Sequence, residues 1–564
     1  MVGVKAWWWI PAAIAALSWM AWRTWLRLGL SLAKVRSLDG HPRWASRLAR
    51  WLPYYEYDER RFFCADDAPP SVAEARRRGF AALMSLYATR YRRGVALGRE
   101  AAQVLSDLQF TSRYRVPFQF SRRVREALGT SPFALATDGM SVTDVDGNEA
   151  LDLTGSYGVN VFGNDFYKGC IERGSDAVRA LGPVLGAYHP LVLDNARRLC
   201  ALSGQEEISF HMSGTEAVMQ AVRLARYHTR RRRIVRLCGA YHGWWGEVQP
   251  GAGNPMPATD TYTLQEMSDA TLRVLRQRRD IACVLVNPLQ ALHPNRSAPA
   301  DSALVDGVRR AGFDRAAYTR WLQALRAVCD QRGIALIFDE VFMGFRLAPG
   351  GAQQYFGVRA DLVTYGKTVA GGLPVGVLAG SHRWMRRFDP LRPANVCFAR
   401  GTFNSHPYVM GAMNEFLRAL EGAALQELYR DLDITWNQRA AALNDRLAAA
   451  GLPVRVANLS TVWTILYTEP SRYHWMFQYY LRAEGLALSW VGSGRLIFTL
   501  TCTAGEFAEV AHRFESAAAA MQRDGWWWRA ATVSARQYRR QVLRELLQAR
   551  CSSSIGSISS PRSR

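Results

Sequence analysis

No two of the nine cysteines fall into a C-x-x-C spacing. They are odd in number and scattered from Cys64 to Cys551. That excludes a disulfide framework and a cysteine metal centre, and it predicts buried, reduced thiols of a cytoplasmic compartment. No metal ion is expected. Zinc-finger spacings, RNA-binding signatures and aromatic-basic repeats are absent as well, so nucleic acid is not an expected partner. Acidic side chains are scarce: 48 Asp and Glu face 71 Lys and Arg, a net charge of +23. Such a balance favours lipid headgroups or acidic proteins as partners, or it reflects an arginine-rich composition and nothing more. No internal repeat is visible. What the chain does have is apolar material, 49% hydrophobic against 21% charged over 564 residues, enough for two or three globular domains with real cores.

One apolar run stands out at the N-terminus. Residues 6–22 (AWWWIPAAIAALSWMAW) carry Ser18 as their one polar side chain. Trp residues cluster at both ends, Pro11 falls in the first turns, and Arg23, Arg27, Lys34 and Arg36 follow. The run predicts a membrane-anchor segment over residues 1–30. The positive-inside rule then keeps the rest of the chain on the cytoplasmic side of a membrane. A helix lying on anionic lipid is the competing reading; a cleaved signal peptide fits poorly, because the charge follows the run. Residues 31–130 read as a basic helical extension, with Phe80, Leu83, Met84, Tyr87 and Tyr91 at helical spacing. Asp146-Gly147 lies between two short β-branched runs, a hairpin signal. From there to about Asp524, helical patterns alternate with short apolar runs such as IVRLC, CVLVNP and ALIFDE. This predicts an α/β fold with a mostly parallel sheet covered by helices. Residues 526–564 read as a basic helix and a disordered Ser-rich tail.

Five segments bear chemistry. Ser213-Gly214-Thr215 precede an amphipathic helix, so free N–H groups at the positive end of the dipole can cradle a phosphate; an ordinary helix cap looks the same. Tyr241-His242-Gly243 puts an aromatic beside a flexible glycine, able to stack on a flat ligand. Asn287-Pro288 and Gln290 end an apolar run, where parallel strands open on a crevice. Asp339 closes the run ALIFD, and a buried carboxylate there needs a partner. A protonated pyridine nitrogen would be one. Lys367 sits between glycines in TYGKTVAGG; a lysine in a tight, partly dry site has a lowered pKa and can form a Schiff base.

These segments, in this order and with GTFNSHP following at Gly401–Pro407, resemble the class III, fold-type-I aminotransferases that use pyridoxal 5'-phosphate (PLP). Within that class the chain is most similar to the glutamate-1-semialdehyde-aminomutase-like group. The segments LIFDEVFMGFRLAPGGAQQYFGVRADLVTYGK and GTFNSHP look closest to the aminotransferase domains of polyketide–peptide megasynthases. The resemblance spans roughly Phe133 to Met521. It implies a large PLP-binding domain over 131–430, built on a seven-stranded-type sheet, with 131–175 also contributing to a smaller α+β domain over 431–525. It implies that Lys367 carries the cofactor, Asp339 meets the pyridine nitrogen, and Gly214 and Thr215 hold the phosphate. Tyr241 would stack on one face of the ring and Val341 on the other, with Gln290 near the ring hydroxyl. Thr402 would reach the phosphate from a neighbouring subunit, implying a homodimer. Ser156 and Tyr157 would line the substrate entrance. Asn287 stands where the family usually has Glu, a lost negative charge that bears on substrate choice or rate.

The implied reaction is amino transfer from an amino-acid donor to a ketone or aldehyde, with the lysine amine as the proton-shuttling base. The membrane segment and basic charge suit an acyl or lipid-like acceptor, free or on an acidic carrier protein. An aminomutase shifting an amino group within one molecule is the alternative. A non-catalytic, membrane-anchored scaffold is a third reading, favoured only by Asn287.

Overall fold

The run IACVLV is buried along its whole length as the strand Ile281–Val286, and so is ALIFD as Ala335–Asp339. Continuous apolar runs of this kind form strands covered on both faces. In the computed structural model, which describes residues 9–35, 38–111, 116–249, 253–256, 258–288, 314–489, 494–531 and 533–556, they lie at the centre of a seven-stranded sheet. Its order is Glu207–His211, Gly376–Gly380, Leu362–Tyr365, Ala335–Asp339, Ile281–Val286, Arg233–Leu237 and Thr261–Leu264. Gly376–Gly380 runs antiparallel to both its neighbours, and the other pairings are parallel. The mostly parallel sheet expected from the sequence is therefore present. Helices Gly214–Thr229 and Arg315–Arg332 bury Val218, Val222 and Leu224, and Tyr318, Leu322 and Leu325.

Three smaller sheets accompany the large one among the described residues. The Asp146-Gly147 hairpin forms as expected: Ser141–Asp144 pairs antiparallel with Glu149–Asp152. Gly147 takes φ +82°, and Asp144 Oδ1 accepts the N–H groups of Asp146 and Asn148 at 2.9 and 3.0 Å. Farther along, Val454–Leu459, Val462–Tyr467 and Arg495–Ile497 make an antiparallel sheet. The helices Leu432–Ala449 and Ala504–Arg523 bring Trp436 and Phe507 against its Trp463, and Phe498 joins them.

Helices also occupy much of the basic N-terminal region, notably Pro70–Arg90 and Arg92–Val104, with a break at Tyr91. Phe80, Leu83 and Tyr87 are buried as their spacing predicts, whereas Met84 is exposed. The region packs on the C-terminal half of the chain: Tyr87 Oη donates to the Tyr479 carbonyl at 2.8 Å, and Ala65 N–H donates to Tyr473 Oη at 2.7 Å. Arg76 and Asp66 form a fully buried pair at 2.7 Å beneath Tyr473. The C-terminal helix Ala535–Gly556 runs into the Ser-rich segment expected to be disordered, and residues 557–564 lie outside the described residues.

The N-terminal expectation is corrected. The helix is Trp9–Leu32, and among the described residues no helix is long and apolar enough to cross a membrane. The helix continues through Arg23 and Arg27 and ends on the protein: Ala33 is buried, and its carbonyl accepts Gln265 N–H at 2.7 Å. A membrane-anchored position on the cytoplasmic side does not survive this geometry. All nine thiols are free, and Cys170, Cys238, Cys283, Cys329, Cys397 and Cys502 are buried.

Candidate active site

The candidate residues gather where strands of the large sheet end, beside the crevice that a parallel sheet leaves at its carboxyl edge. Glu207–His211 turns through Met212 and Ser213 into the helix Gly214–Thr229. Ser213 caps this helix: its Oγ accepts Glu216 N–H at 3.3 Å, and its carbonyl accepts Ala217 N–H at 3.1 Å. The N–H groups of Gly214 and Thr215 precede these and point out of the helix end, where the dipole is positive. Space there is kept by two glycines. A methyl group on Gly214 would lie 2.6 Å from Val341 Cγ1, and one on Gly243, which has φ +90°, would lie 2.5 Å from Thr215 Oγ1.

Asp339 is buried at the end of its strand. His242 Nδ1 meets its Oδ2 at 2.7 Å, while Val341 N–H and Thr364 Oγ1 donate to Oδ1 at 3.2 Å each. The carboxylate is thus held by neutral donors and a histidine, with no arginine or lysine ion pair among the described residues. Two buried polar atoms beside it have no protein partner there: His242 Nε2 and Asn287 Oδ1. Asn287 follows the strand adjacent to that of Asp339. Tyr241, next to His242, is 59% exposed and presents an open aromatic face.

Lys367 follows the next strand, Leu362–Tyr365, and opens a short 3-10 turn at φ +36°. A side chain other than glycine in that region of backbone space is strained. Burial lowers the pKa of its amine, Asp339 opposes this, and Arg495 and Arg346 lower it further. The amine lies 5.9 Å over the Phe342 ring. The same ring lies against Gly158, which closes the turn that carries the exposed Ser156 and Tyr157, both at positive φ.

The structure thus brings Gly214, Thr215, Tyr241, Asn287, Asp339, Val341, Lys367 and the Ser156–Tyr157 turn to one crevice. Thr402 is exposed in the loop before the helix Pro407–Glu421, and no hydrogen bond joins it to the others among the described residues. Gln290 lies outside the described residues. Three residues escaped the sequence reading. His242 is visible in the sequence only as part of an aromatic–glycine segment, and nothing in the residues around Phe342 singles it out. Arg495, at the start of its strand, holds its guanidinium 5.7 Å over Phe342. Burial pushes its pKa down to about 10, and no carboxylate pairs with it among the described residues. In a chain so rich in arginine, spacing carries no signal for it.

The family model for class III aminotransferases matches residues 127–518. A glutamate-1-semialdehyde 2,1-aminomutase of Geotalea daltonii is 31% identical over 374 residues, covering 63% of this chain and 81% of that enzyme. One of Alkaliphilus oremlandii is 35% identical over 308 residues, covering 51% and 67%. Among solved structures, a transaminase with PLP bound superimposes with a TM-score of 0.60 at 26% identity, over 76% of this chain and 97% of that one. A glutamate-1-semialdehyde aminomutase from Pseudomonas aeruginosa shares the fold, with a TM-score of 0.62 at 18% identity, over 79% and 99%.

Proposed function

This chain belongs to the class III aminotransferases, and from that premise we propose that it transfers an amino group from an amino-acid donor to a ketone or aldehyde, with Lys367 and Asp339 as its catalytic pair. The cofactor of the family is pyridoxal phosphate, and the crevice fits it. A helix N-terminus leaves the N–H groups of Gly214 and Thr215 without helical acceptors, a buried carboxylate lacks a cation, and His242 Nε2 and Asn287 Oδ1 lack partners among the described residues. When bound, the cofactor supplies an aldehyde carbon that condenses with amines and a pyridine ring that draws electrons from the adjoining carbon.

The protein's residues do the rest. The N–H groups of Gly214 and Thr215 would hold the phosphate, with Tyr241 and Val341 beside the ring. The family resemblance gives Gln290 to the ring hydroxyl. Asp339, oriented by His242, would keep a proton on the ring nitrogen. Burial disfavours the ammonium form of Lys367, which suits its amine to take up the proton from the substrate's amine-bearing carbon. Arg495, facing the same ring as Lys367, meets a carboxylate of the amino-acid substrate as a charge-assisted pair. Ser156 and Tyr157 border the entrance. Thr402 is exposed, and the resemblance gives it to the phosphate of a neighbouring subunit, so the working unit is proposed to be a homodimer. The acceptor is proposed to be an acyl or lipid-like intermediate, free or carrier-bound, in line with the megasynthase-like segments.

The observation that carries the proposal is the meeting of a depressed lysine amine and a buried, histidine-held carboxylate at the ends of adjoining strands. Borohydride should fix the cofactor covalently to one peptide, the one containing Lys367, and Lys367→Ala should abolish both fixation and amino transfer. Fixation elsewhere, or an active alanine variant, would overturn it. The similarity to two aminomutases favours a second reading, rearrangement within one molecule. Product formed without any external donor would select it.

A further inference from the structure

A sizeable cavity lies away from the residues gathered around Lys367. It lies at the far edge of the sheet, against the edge strand Thr261–Leu264, with three strands between it and the strand that leads to Lys367. Its volume is about 1060 Å³. The N-terminal helix and the helix Pro42–Trp51 form one wall and contribute Arg27 and Arg43, with Lys34 between the two helices. The sheet and the end of the helix Asp269–Gln277 form the other, with Arg236, Arg278 and Arg279.

The lining holds eight Lys and Arg side chains and two carboxylates, Glu247 and Asp280. Both carboxylates are already engaged. Glu247 pairs with Arg226 at 2.5 Å, and Asp280 accepts from Tyr262 Oη at 3.1 Å and lies 3.8 Å from Arg278. Lys34, Arg27 and Arg43 face no carboxylate among the described residues. Burial lowers the pKa of Lys34, and repulsion from Arg43 lowers it further, the mark of cations crowded without a counter-ion. Concave, like-charged walls concentrate anions, and guanidinium forks suit phosphate oxygens in particular.

We propose that this cavity binds a soluble small molecule carrying two or more phosphate groups, at a site separate from the amino-transfer crevice. The test uses holoenzyme saturated with its cofactor, so that the active-site phosphate cradle is filled, and inorganic pyrophosphate as probe. Calorimetry should show one saturable site per chain, with the cofactor's absorbance unchanged. The triple variant Arg27→Gln, Lys34→Gln, Arg43→Gln should weaken binding by about tenfold or more. A control that loses the same charge from exposed arginines elsewhere, Arg92→Gln, Arg99→Gln, Arg125→Gln, should change it by less than about threefold. No saturable binding, or equal weakening in both variants, overturns the proposal. So does protein that ignores pyrophosphate but is retained on phosphatidylglycerol vesicles.

Discussion

Replacing Arg495 by glutamine separates what this side chain costs from what it does. Its guanidinium lies over Phe342 in a half-buried position with no carboxylate paired to it among the described residues, and desolvation lowers its pKa to about 10, below the ordinary arginine value. A cation whose folded-state pKa lies below its unfolded one destabilises the fold at every pH where it must stay charged. The cost is fully present below about pH 10 and fades as the pH rises through and beyond that value. The depression corresponds to a cost of about 3 kcal/mol as an upper bound. Residual exposure and the lost stacking on Phe342 reduce the gain on substitution to about 1 kcal/mol. Arg495→Gln should therefore leave the apoprotein as stable as before, or raise its melting temperature by about 1–3 °C. Catalysis should move the other way. Losing a charge-assisted, two-pronged contact of about 3 kcal/mol raises KM for an amino acid by about a hundredfold. An amine without a carboxylate should be affected by less than about threefold. The assay is conversion of the cofactor to its amine form, followed by absorbance, with alanine and 1-phenylethylamine as parallel donors. Equal effects on the two donors, or a large loss of stability, would refute the reasoning.

Other consequences are as direct. Asp339→Asn removes the charge held by His242 and should lower kcat by about a thousandfold or more, while His242→Ala should shift the pH profile of the bound cofactor's absorbance with a smaller rate loss, since it acts through Asp339. Gly243→Ala strains a residue at φ +90° and presses on Thr215; cofactor affinity, measured by fluorescence quenching, should fall by about 1–3 kcal/mol with the fold intact. Asp66→Ala leaves Arg76 charged in the core with only the Phe63 and Gly525 carbonyls and two aromatic rings as partners, so chemical denaturation should report a loss of about 3 kcal/mol.

Strand identity, the hairpin at Asp146-Gly147 and the order of the site segments were legible because each rests on local chemistry. An unbroken apolar run of five or six residues has few places to go but the middle of a sheet, and an Asp-Gly pair between β-branched runs turns the chain wherever it occurs. Lys367, Asp339, Gly214 and Thr215 could be named for the same reason, each lying within a short segment whose residue types already suggest a task. The N-terminal helix misled, because an apolar run looks alike whether it meets lipid or a neighbouring domain. Only its continuation through Arg23 and Arg27 to the buried Ala33 tells them apart.

What the sequence determined alone was the set of parts: which strands form, which side chains stand at their ends, and which family they belong to. The tertiary structure decided which parts meet. His242 against Asp339, Arg495 and Lys367 over one ring, and the basic cavity at the far edge all join residues tens to hundreds of positions apart. Burial and through-space charge set their chemistry, and neither quantity is a property of any short stretch of chain.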